Sequence, residues 1–381
     1  MAMAKTNRIG IIGCGNISDT YFGLAPLFKG VKIVACADIK APLARAKAEK
    51  FGVAAMTVDG LLKGDAVDTV INLTIPAAHY DVTLSILSAG KNAYTEKPLA
   101  LSTSAAKKLV AEADRRGVKL GGAPDTFLGG GAQLARRMID KGAIGPVVAG
   151  SAYVMSHGME HWHPNPGFFF KPGAGPIFDI GPYYITTLVS LLGPVKGVVA
   201  LAKKGFPTRL VSAEGPMKGK SVKVSTPTTV NAVLEFASGA QVTLGASWDV
   251  WKHGHPNPIE LYGEKGSMLI PDPNFFGGTV STSVGGGDYA LADSASEAFG
   301  ASNWPAGEPS RANYRMLGVA DLIDAANRDR EPRCSGRLAT HVVDVMESIL
   351  LAAAERRHVR IRSTVERPAP LTPADAKRLL A

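Results

Sequence analysis

Ile9-Gly10-Ile11-Ile12-Gly13-Cys14-Gly15-Asn16-Ile17-Ser18 decides the fold of the first domain. An isoleucine-rich run that reads as a buried strand leads straight into a glycine pair. Gly13 allows a tight turn, and Gly15 lets the backbone approach a pyrophosphate. Ser18 stands where a third glycine or alanine is usual and is still small enough for close helix–strand packing. The pattern predicts strand, glycine turn and helix, with phosphates received by the helix's first N–H groups. Asp38 closes the next apolar run, Val31 to Ala37, about 20 residues further on, where a carboxylate accepts hydrogen bonds from an adenine ribose. That charge repels a 2′-phosphate and favours NAD. Lys40 offsets part of the repulsion, which leaves NADP as the alternative cofactor.

Working outward, Thr69 to Leu73 reads as a further strand, and Ala41 to Phe51 and Tyr80 to Ala89 as helices. Strands alternating with helices imply βαβ units and a parallel sheet. After a short strand at Lys119 to Gly122 the pattern changes. Val147 to Val154, Gly197 to Ala202, Thr228 to Phe236, Ala240 to Trp248 and Pro258 to Tyr262 follow as strands separated by turn signals, which suggests antiparallel pairing. Gly173 to Leu192 reads as a loop entering a helix, and Pro271 to Ser310 as a long irregular excursion. The expected architecture is an α/β Rossmann domain with a doubly wound parallel sheet over residues 1–124. An α+β domain with a largely antiparallel open sheet follows over 125–381, and a closing helix near 338–356 is placed to pack back on the first domain.

The composition of the 381 residues, 46% hydrophobic and 20% charged with mean hydropathy +0.08, excludes disordered and collagen-like chains. The net charge of +9 is spread out, with only short clusters such as Arg136-Arg137 and Arg356-Arg357. No stretch has the character of a nucleic-acid-binding segment. Cys14, Cys36 and Cys334 are too few and too scattered for a disulfide framework or a structural zinc site. Residues 1–8 lack the apolar core of a signal peptide, and no apolar run reaches the ~20 residues of a membrane span. These features predict a soluble, cytoplasmic protein with no membrane and no nucleic-acid partner.

Three further segments carry a family likeness. Thr74-Ile75-Pro76 with His79, Glu96-Lys97-Pro98, and Gly173-Ala174-Gly175-Pro176-Ile177-Phe178-Asp179-Ile180-Gly181-Pro182-Tyr183-Tyr184 stand in order along the chain. With the glycine loop, Asp38 and Glu260-Leu261-Tyr262-Gly263-Glu264-Lys265-Gly266-Ser267, they make the sequence resemble the Gfo/Idh/MocA oxidoreductases. The resemblance implies NAD(P)-dependent hydride transfer between nicotinamide and a sugar or polyol hydroxyl or carbonyl carbon. It implies cofactor contacts from Gly13, Gly15, Asn16, Ile17, Asp38, Thr74, Pro76, His79, Glu96 and Lys97. It places Lys97 at the reacting oxygen, where a fixed ammonium stabilises the charge that hydride transfer creates. Glu96 is expected to orient the cofactor or Lys97. The family's Asp-x-x-x-His pattern here reads Asp179-Ile180-Gly181-Pro182-Tyr183, with Tyr183 in the base position and Asp179 holding the polar network. A phenol titrates near pH ~10, so a tyrosine base needs a neighbouring cation, and Lys97 is the natural one. Tyr184 is turned away by helical geometry.

Ser156-His157-Gly158-Met159-Glu160-His161-Trp162-His163-Pro164 lacks the spacing of a helical zinc motif, and no metal is expected. Two readings stand side by side: a substrate-pocket wall built from Trp162 and His163, or a structural loop. Trp251, His253 and His255 read as pocket rim or subunit interface, and Asn313 or Arg311 as a partner for substrate hydroxyls. Two rival functions remain. One is a glycosidase that recycles NAD, and the other is a cofactor-binding sensor without turnover. A homodimer or homotetramer is expected, because the open face of the second sheet needs covering.

Overall fold

The computed structural model describes residues 6–255, 257–305, 307 and 310–381. The chain opens as β1 (Asn7–Ile12), α1 (Ser18–Leu24), β2 (Val31–Ala37), α2 (Ala41–Phe51), β3 (Ala54–Met56) and α3 (Val58–Lys63). It continues with β4 (Thr69–Asn72), α4 (His79–Ser88), β5 (Asn92–Thr95), α5 (Thr103–Arg116) and β6 (Leu120–Gly122). Then come α6 (Gly130–Asp140), β7 (Val147–Met155), α7 (Gly175–Asp179), α8 (Gly181–Leu192), β8 (Val195–Lys203), β9 (Thr208–Leu210) and β10 (Ser221–Lys223). Six strands follow: β11 (Thr229–Phe236), β12 (Gln241–Ser247), β13 (Ile259–Gly263), β14 (Gly266–Ile270), β15 (Thr279–Val284) and β16 (Ala290–Asp293). The chain closes with α9 (Leu317–Asn327), α10 (Gly336–Glu355), β17 (Val359–Arg360) and α11 (Pro373–Leu379).

Two compact units share these elements. The first comprises Met1–Gly129, Ala298–Val343 and Pro368–Ala381, and the second Gly130–Glu297 and Asp344–Arg367. The expected boundary after residue 124 lies close to the first crossing. Residues 298–343 and 368–381, read from sequence as part of the second domain, count with the first unit.

The first unit carries a six-stranded, wholly parallel sheet in the order β3-β2-β1-β4-β5-β6. Its central strands are buried on both faces, so they are near-continuous apolar runs. Ile12, Val70 and Ala93 pack with Leu61, Ile86 and Leu109 from the covering helices. The side chain of Ser102 accepts the Ala105 N–H at the start of α5, and Gly117, at φ 66°, ends it. The late segments are fastened by charge. The Arg333 guanidinium donates to Asp321 of α9 at 2.5 Å and to Asp375 of α11 at 2.7 Å.

The second unit carries a nine-stranded sheet in the order β16-β15-β14-β13-β7-β12-β11-β8-β17. All its pairings are antiparallel except β7 with β12. Alternation is clear in β11, where Val230, Ala232, Leu234 and Phe236 are buried while Asn231 and Val233 are exposed. Every residue of α8 is buried, consistent with a helix apolar on all sides. It packs against α6, and α7 lies against β11 and β12.

The Pro271–Ser310 excursion is more ordered than its composition suggested. It contains β15, β16 and a 3-10 turn at Ser294–Ser296, and it extends the sheet beyond β14. Thr279-Val280-Ser281-Thr282-Ser283-Val284 is small and polar, yet the backbone ladder satisfies its peptide groups, and Ser283 closes its own hydroxyl onto the Gly287 carbonyl at 2.6 Å. Residues 306, 308 and 309 lie outside the described residues.

One close approach gives a stability test. A β-carbon at Gly318 would stand 2.4 Å from the Tyr94 hydroxyl oxygen and 2.9 Å from the Asp125 β-carbon. Gly318→Ala should therefore cost about 1–3 kcal/mol as overpacking, measured by urea unfolding. Gly254→Ala, where a β-carbon meets nothing within 4 Å, should stay within about 0.5 kcal/mol of the parent.

Candidate active site

Parallel strands end on one edge of a sheet, and that edge collects the expected cofactor residues. Gly13 follows β1, Asp38 follows β2, Thr74 follows β4, and Glu96 and Lys97 follow β5. The strand order reverses between β1 and β4, the place where open α/β sheets form a ligand crevice.

Gly13 adopts φ 103°, and a β-carbon there would stand 2.6 Å from the Leu73 carbonyl. No other residue fits that turn. At Gly15 a β-carbon would meet nothing within 4 Å, so exposed backbone at Gly15 and Asn16 is open to a pyrophosphate. The first N–H groups of α1 are less available than expected. Those of Ser18, Asp19 and Thr20 bond to the carbonyls of Gly15, Asn16 and Ile17 at 3.1, 3.3 and 3.1 Å. The Ser18 hydroxyl also donates to Gly15 O at 2.6 Å. The turn between strand and helix, rather than the helix end, is the surface left for phosphate.

Asp38 braces this loop. Its carboxylate accepts the Cys14 N–H at 2.8 Å on one oxygen and the Lys40 N–H at 2.8 Å on the other. Each oxygen keeps acceptor capacity for a ribose hydroxyl. Ile39 beside it is 96% exposed, an apolar surface for an adenine ring. Together these residues fit NAD.

Thr74 and His79 are held by the protein itself. The Thr74 hydroxyl donates to Asn72 Oδ1 at 2.6 Å. The buried His79 ring sets Nδ1 2.7 Å from Pro98 O and Nε2 3.0 Å from Thr74 O. Burial pushes its imidazole below the usual range, against the pull of both carbonyls and of Glu96. His79 thus braces the turn at Thr74 against the Glu96-Lys97-Pro98 turn, while Pro76 opens the 3-10 turn between them.

Glu96 is buried. One carboxylate oxygen accepts the Tyr21 hydroxyl at 2.8 Å and the Arg315 guanidinium at 3.3 Å, and the other accepts the Lys97 N–H at 2.9 Å. Burial pushes this carboxyl up. Arg315, Lys97, the Lys97 N–H and the Tyr21 hydroxyl more than reverse that, leaving it below the ordinary carboxylate range. Arg315 and Tyr21 carried no local sequence signal for this role. Asn313 lies two residues before Arg315 and accepts its N–H at 3.3 Å. It belongs to the first unit, whereas Trp162 and His163 belong to the second.

In the second unit, Asp179 ends α7 and Tyr183 stands in the first turn of α8. The expected single helix is broken at Ile180, because Gly181 is a poor helix former and Pro182 has no N–H. Bonds from Ile180 N–H to Pro176 O at 3.1 Å and from Tyr183 N–H to Ile180 O at 3.0 Å carry the chain across the break. Burial, aided by Asp272, pushes the neighbouring Tyr184 phenol up, the wrong direction for a base.

The histidine-rich loop is anchored by a buried ion pair. Arg209 donates to Glu160 at 2.9 Å, to the Trp248 carbonyl at 3.0 Å and to Asp249. From that anchor Trp162 emerges 56% exposed, its ring edge-on to His163 at 5.4 Å. His163 in turn stands edge-on to Phe168 and Phe169 at 5.4 and 5.2 Å. His157 stacks on Trp251 at 3.3 Å, and His255 on Tyr153 at 4.0 Å. Among the described residues no three His, Cys, Asp or Glu side chains group as metal ligands.

Comparison with known proteins agrees with this geometry. Residues 7–122 match the oxidoreductase family model with an NAD-binding Rossmann fold, and residues 132–269 match the GFO/IDH/MocA C-terminal domain. Inositol 2-dehydrogenase of Salmonella typhimurium is 32% identical over 272 residues, covering 70% of this chain and 74% of its own. The Ralstonia nicotianae enzyme of the same name is 25% identical over 278 residues, covering 70% and 75%. The fold is shared with an NAD-binding oxidoreductase from Klebsiella pneumoniae, with TM-score 0.81, 23% identity and coverage of 94% and 99%. It is shared too with levoglucosan dehydrogenase in complex with NADH and L-sorbose, with TM-score 0.79, 20% identity and the same coverage, 94% and 99%. Both matched domains and the relative at 32% identity establish that this chain belongs to the GFO/IDH/MocA family of NAD-binding oxidoreductases.

Proposed function

We propose that the chain is an NAD-dependent dehydrogenase of a sugar or cyclic polyol, working in the cytoplasm, with Lys97 and Tyr183 at the reacting oxygen. The observation that carries this reading is the carboxyl edge of the parallel sheet. It sets a ribose-binding carboxylate, an open glycine turn and a lysine with a buried acidic neighbour along one line of strand ends. The relatives named for inositol and levoglucosan oxidation support a polyhydroxylated ring as substrate.

Bound NAD supplies the hydride acceptor. The chain's own residues supply the rest. The Tyr183 phenol takes the proton from the substrate hydroxyl. The Lys97 ammonium stabilises the negative charge that gathers on that oxygen, an electrostatic contribution fixed before the reaction begins. Asp179 orients the polar network, and Trp162 offers a flat apolar face to ring C–H groups, with His163 as its hydrogen-bonding neighbour. Asn313 is assigned to a substrate hydroxyl.

The exposed face of the second sheet supports a homodimer or homotetramer. Val199 and Val233 are paired across β8 and β11, and with Leu201, 67% exposed, they line a hollow of about 450 Å³. A second copy would cover this apolar face.

Three outcomes are expected. With NAD and a panel of aldoses and polyols including levoglucosan and myo-inositol, reduced nicotinamide should accumulate with at least one substrate. Lys97→Ala and Tyr183→Phe should each lose about 100-fold or more in kcat while still binding NAD by fluorescence titration. Near-parental turnover in either variant would remove that residue's role, and NAD binding without turnover on any sugar or glycoside would favour the sensor. Second, Asp38→Ser should shift preference toward NADP by about tenfold or more in kcat/KM; an unchanged ratio would remove Asp38 from the ribose. Third, light scattering should show a dimer or larger, and Leu201→Asp should shift it toward monomer.

A further inference from the structure

The segment before α9 is held in a conformation that local preference does not favour. Met316 adopts φ 103° while fully buried, a region that is strained for a residue with a side chain. The turn persists because Asp125, just beyond β6, accepts the N–H groups of Met316 and Gly318 at 3.3 and 3.0 Å. Gly318 itself leaves no room for a β-carbon beside Tyr94. Strained, capped and tightly packed, the turn presents Arg315 to Glu96.

We propose that Arg315 is a positioning residue for hydride transfer: it pairs with the buried Glu96 carboxylate and so holds a fixed negative neighbour against Lys97. The inference rests on the reading of Lys97 as the cation at the reacting oxygen. Glu96 can act on Lys97 in two ways. It accepts the Lys97 N–H, which fixes the backbone from which the side chain extends, and its charge favours the ammonium form of that side chain. A buried carboxylate with too few partners takes up a proton instead, and both effects then weaken. The groups facing Glu96 are Tyr21 from α1, His79 from α4, Tyr94 from β5, Asp125 after β6, Lys97 and Arg315. Tyr21 and Tyr94 are neutral at working pH, because burial pushes both phenols well up. His79 is held toward its neutral form, and Asp125 adds no positive charge. Apart from Lys97 itself, Arg315 is the cation of this set.

The sign follows directly. With Arg315 in place, the carboxyl titrates below the ordinary range, so Glu96 is ionised at neutral pH. Without it the carboxyl titrates higher, and acidification protonates Glu96 at a pH where the parent is unaffected. Infrared difference spectra of the apo protein report this without any turnover, through the carboxylic acid C=O band assigned by its loss in Glu96→Gln. In Arg315→Met that band should appear at least one pH unit above the parent, and in Arg315→Lys at the parental pH. With NAD and whichever of levoglucosan or myo-inositol turns over faster, kcat of Arg315→Met should fall at least tenfold on the acid side. It should recover as pH rises, with KM for NAD changed less than twofold. Arg315→Gln serves in the same way if the methionine variant melts early. A parental band position in a folded Arg315→Met or Arg315→Gln protein overturns the proposal, as does a kcat loss equal at every pH and not rescued by lysine. Parental turnover in Lys97→Ala would instead remove the reading beneath it, and the infrared result distinguishes the two failures.

Discussion

A carboxylate taken out of water must be matched by charge and hydrogen bonds, or it becomes neutral. Glu96 imposes that demand at the end of β5, and much of the first unit answers it. Tyr21 reaches it from α1, the Lys97 N–H from its own turn, and Arg315 from a segment more than half the chain away. Residues 298–343, which count with the Rossmann unit, carry this arginine. The demand explains why a buried, left-handed methionine is tolerated at 316. The strain there is small beside the cost of leaving Glu96 without its guanidinium.

What could be read from sequence divides along a physical line. Strands buried on both faces are apolar runs, and a backbone that must turn sharply beside another strand demands glycine, so the β1 loop and the parallel sheet were legible. Asp38 and Glu96-Lys97-Pro98 were legible for a similar reason, because they sit at fixed offsets from strand ends. Tyr21, Arg315 and Asp125 were not. Their role comes from contacts far apart in sequence, and nothing local marks a tyrosine on a helix or an arginine in a turn as the partner of a particular carboxylate. Strand β15 was missed for the opposite reason. Its serines and threonines carry a loop-like composition, while its order comes from the ladder to β14, which composition does not report.

The glycine turn differs in its hydrogen bonding from the arrangement that its pattern predicts. Helix N-termini attract anions because their first N–H groups lack partners. Here three of those groups close short turns onto the carbonyls of residues 15 to 17, and Ser18 adds a hydroxyl bond to the same loop. The serine that replaces the usual third small residue is therefore no passive substitute. It tightens the turn, while Gly15 and Asn16 stay exposed. His79 braces the same edge, its two ring nitrogens lying within hydrogen-bonding distance of main-chain carbonyls of the two turns it joins, one of which its single N–H reaches in the neutral form.

The two units encode their functions in different currencies. In the first, the cofactor edge is fixed by backbone geometry and by charges that must be buried, constraints that few residue types satisfy. In the second, the aromatic loop from His157 to Phe170 is held by the Arg209 pair with Glu160 and Asp249, by backbone bonds to Glu160 and Phe170, and by the burial of Met159 and Phe170 against Trp248. Beyond these contacts, Trp162 and Trp251 project outward, and their identity is not demanded by the fold. A buried ion pair of this kind contributes little net stability compared with an apolar replacement, yet breaking it is costly and its geometry is specific. It therefore suits a loop whose shape must be constant while its tips vary. The turn at Gly13 has no room for a β-carbon, whereas the carboxylate at Asp38 is a side chain that can be exchanged. The tips at Trp162 and Trp251 can be exchanged while Arg209, Glu160 and Asp249 hold their part of the loop in place.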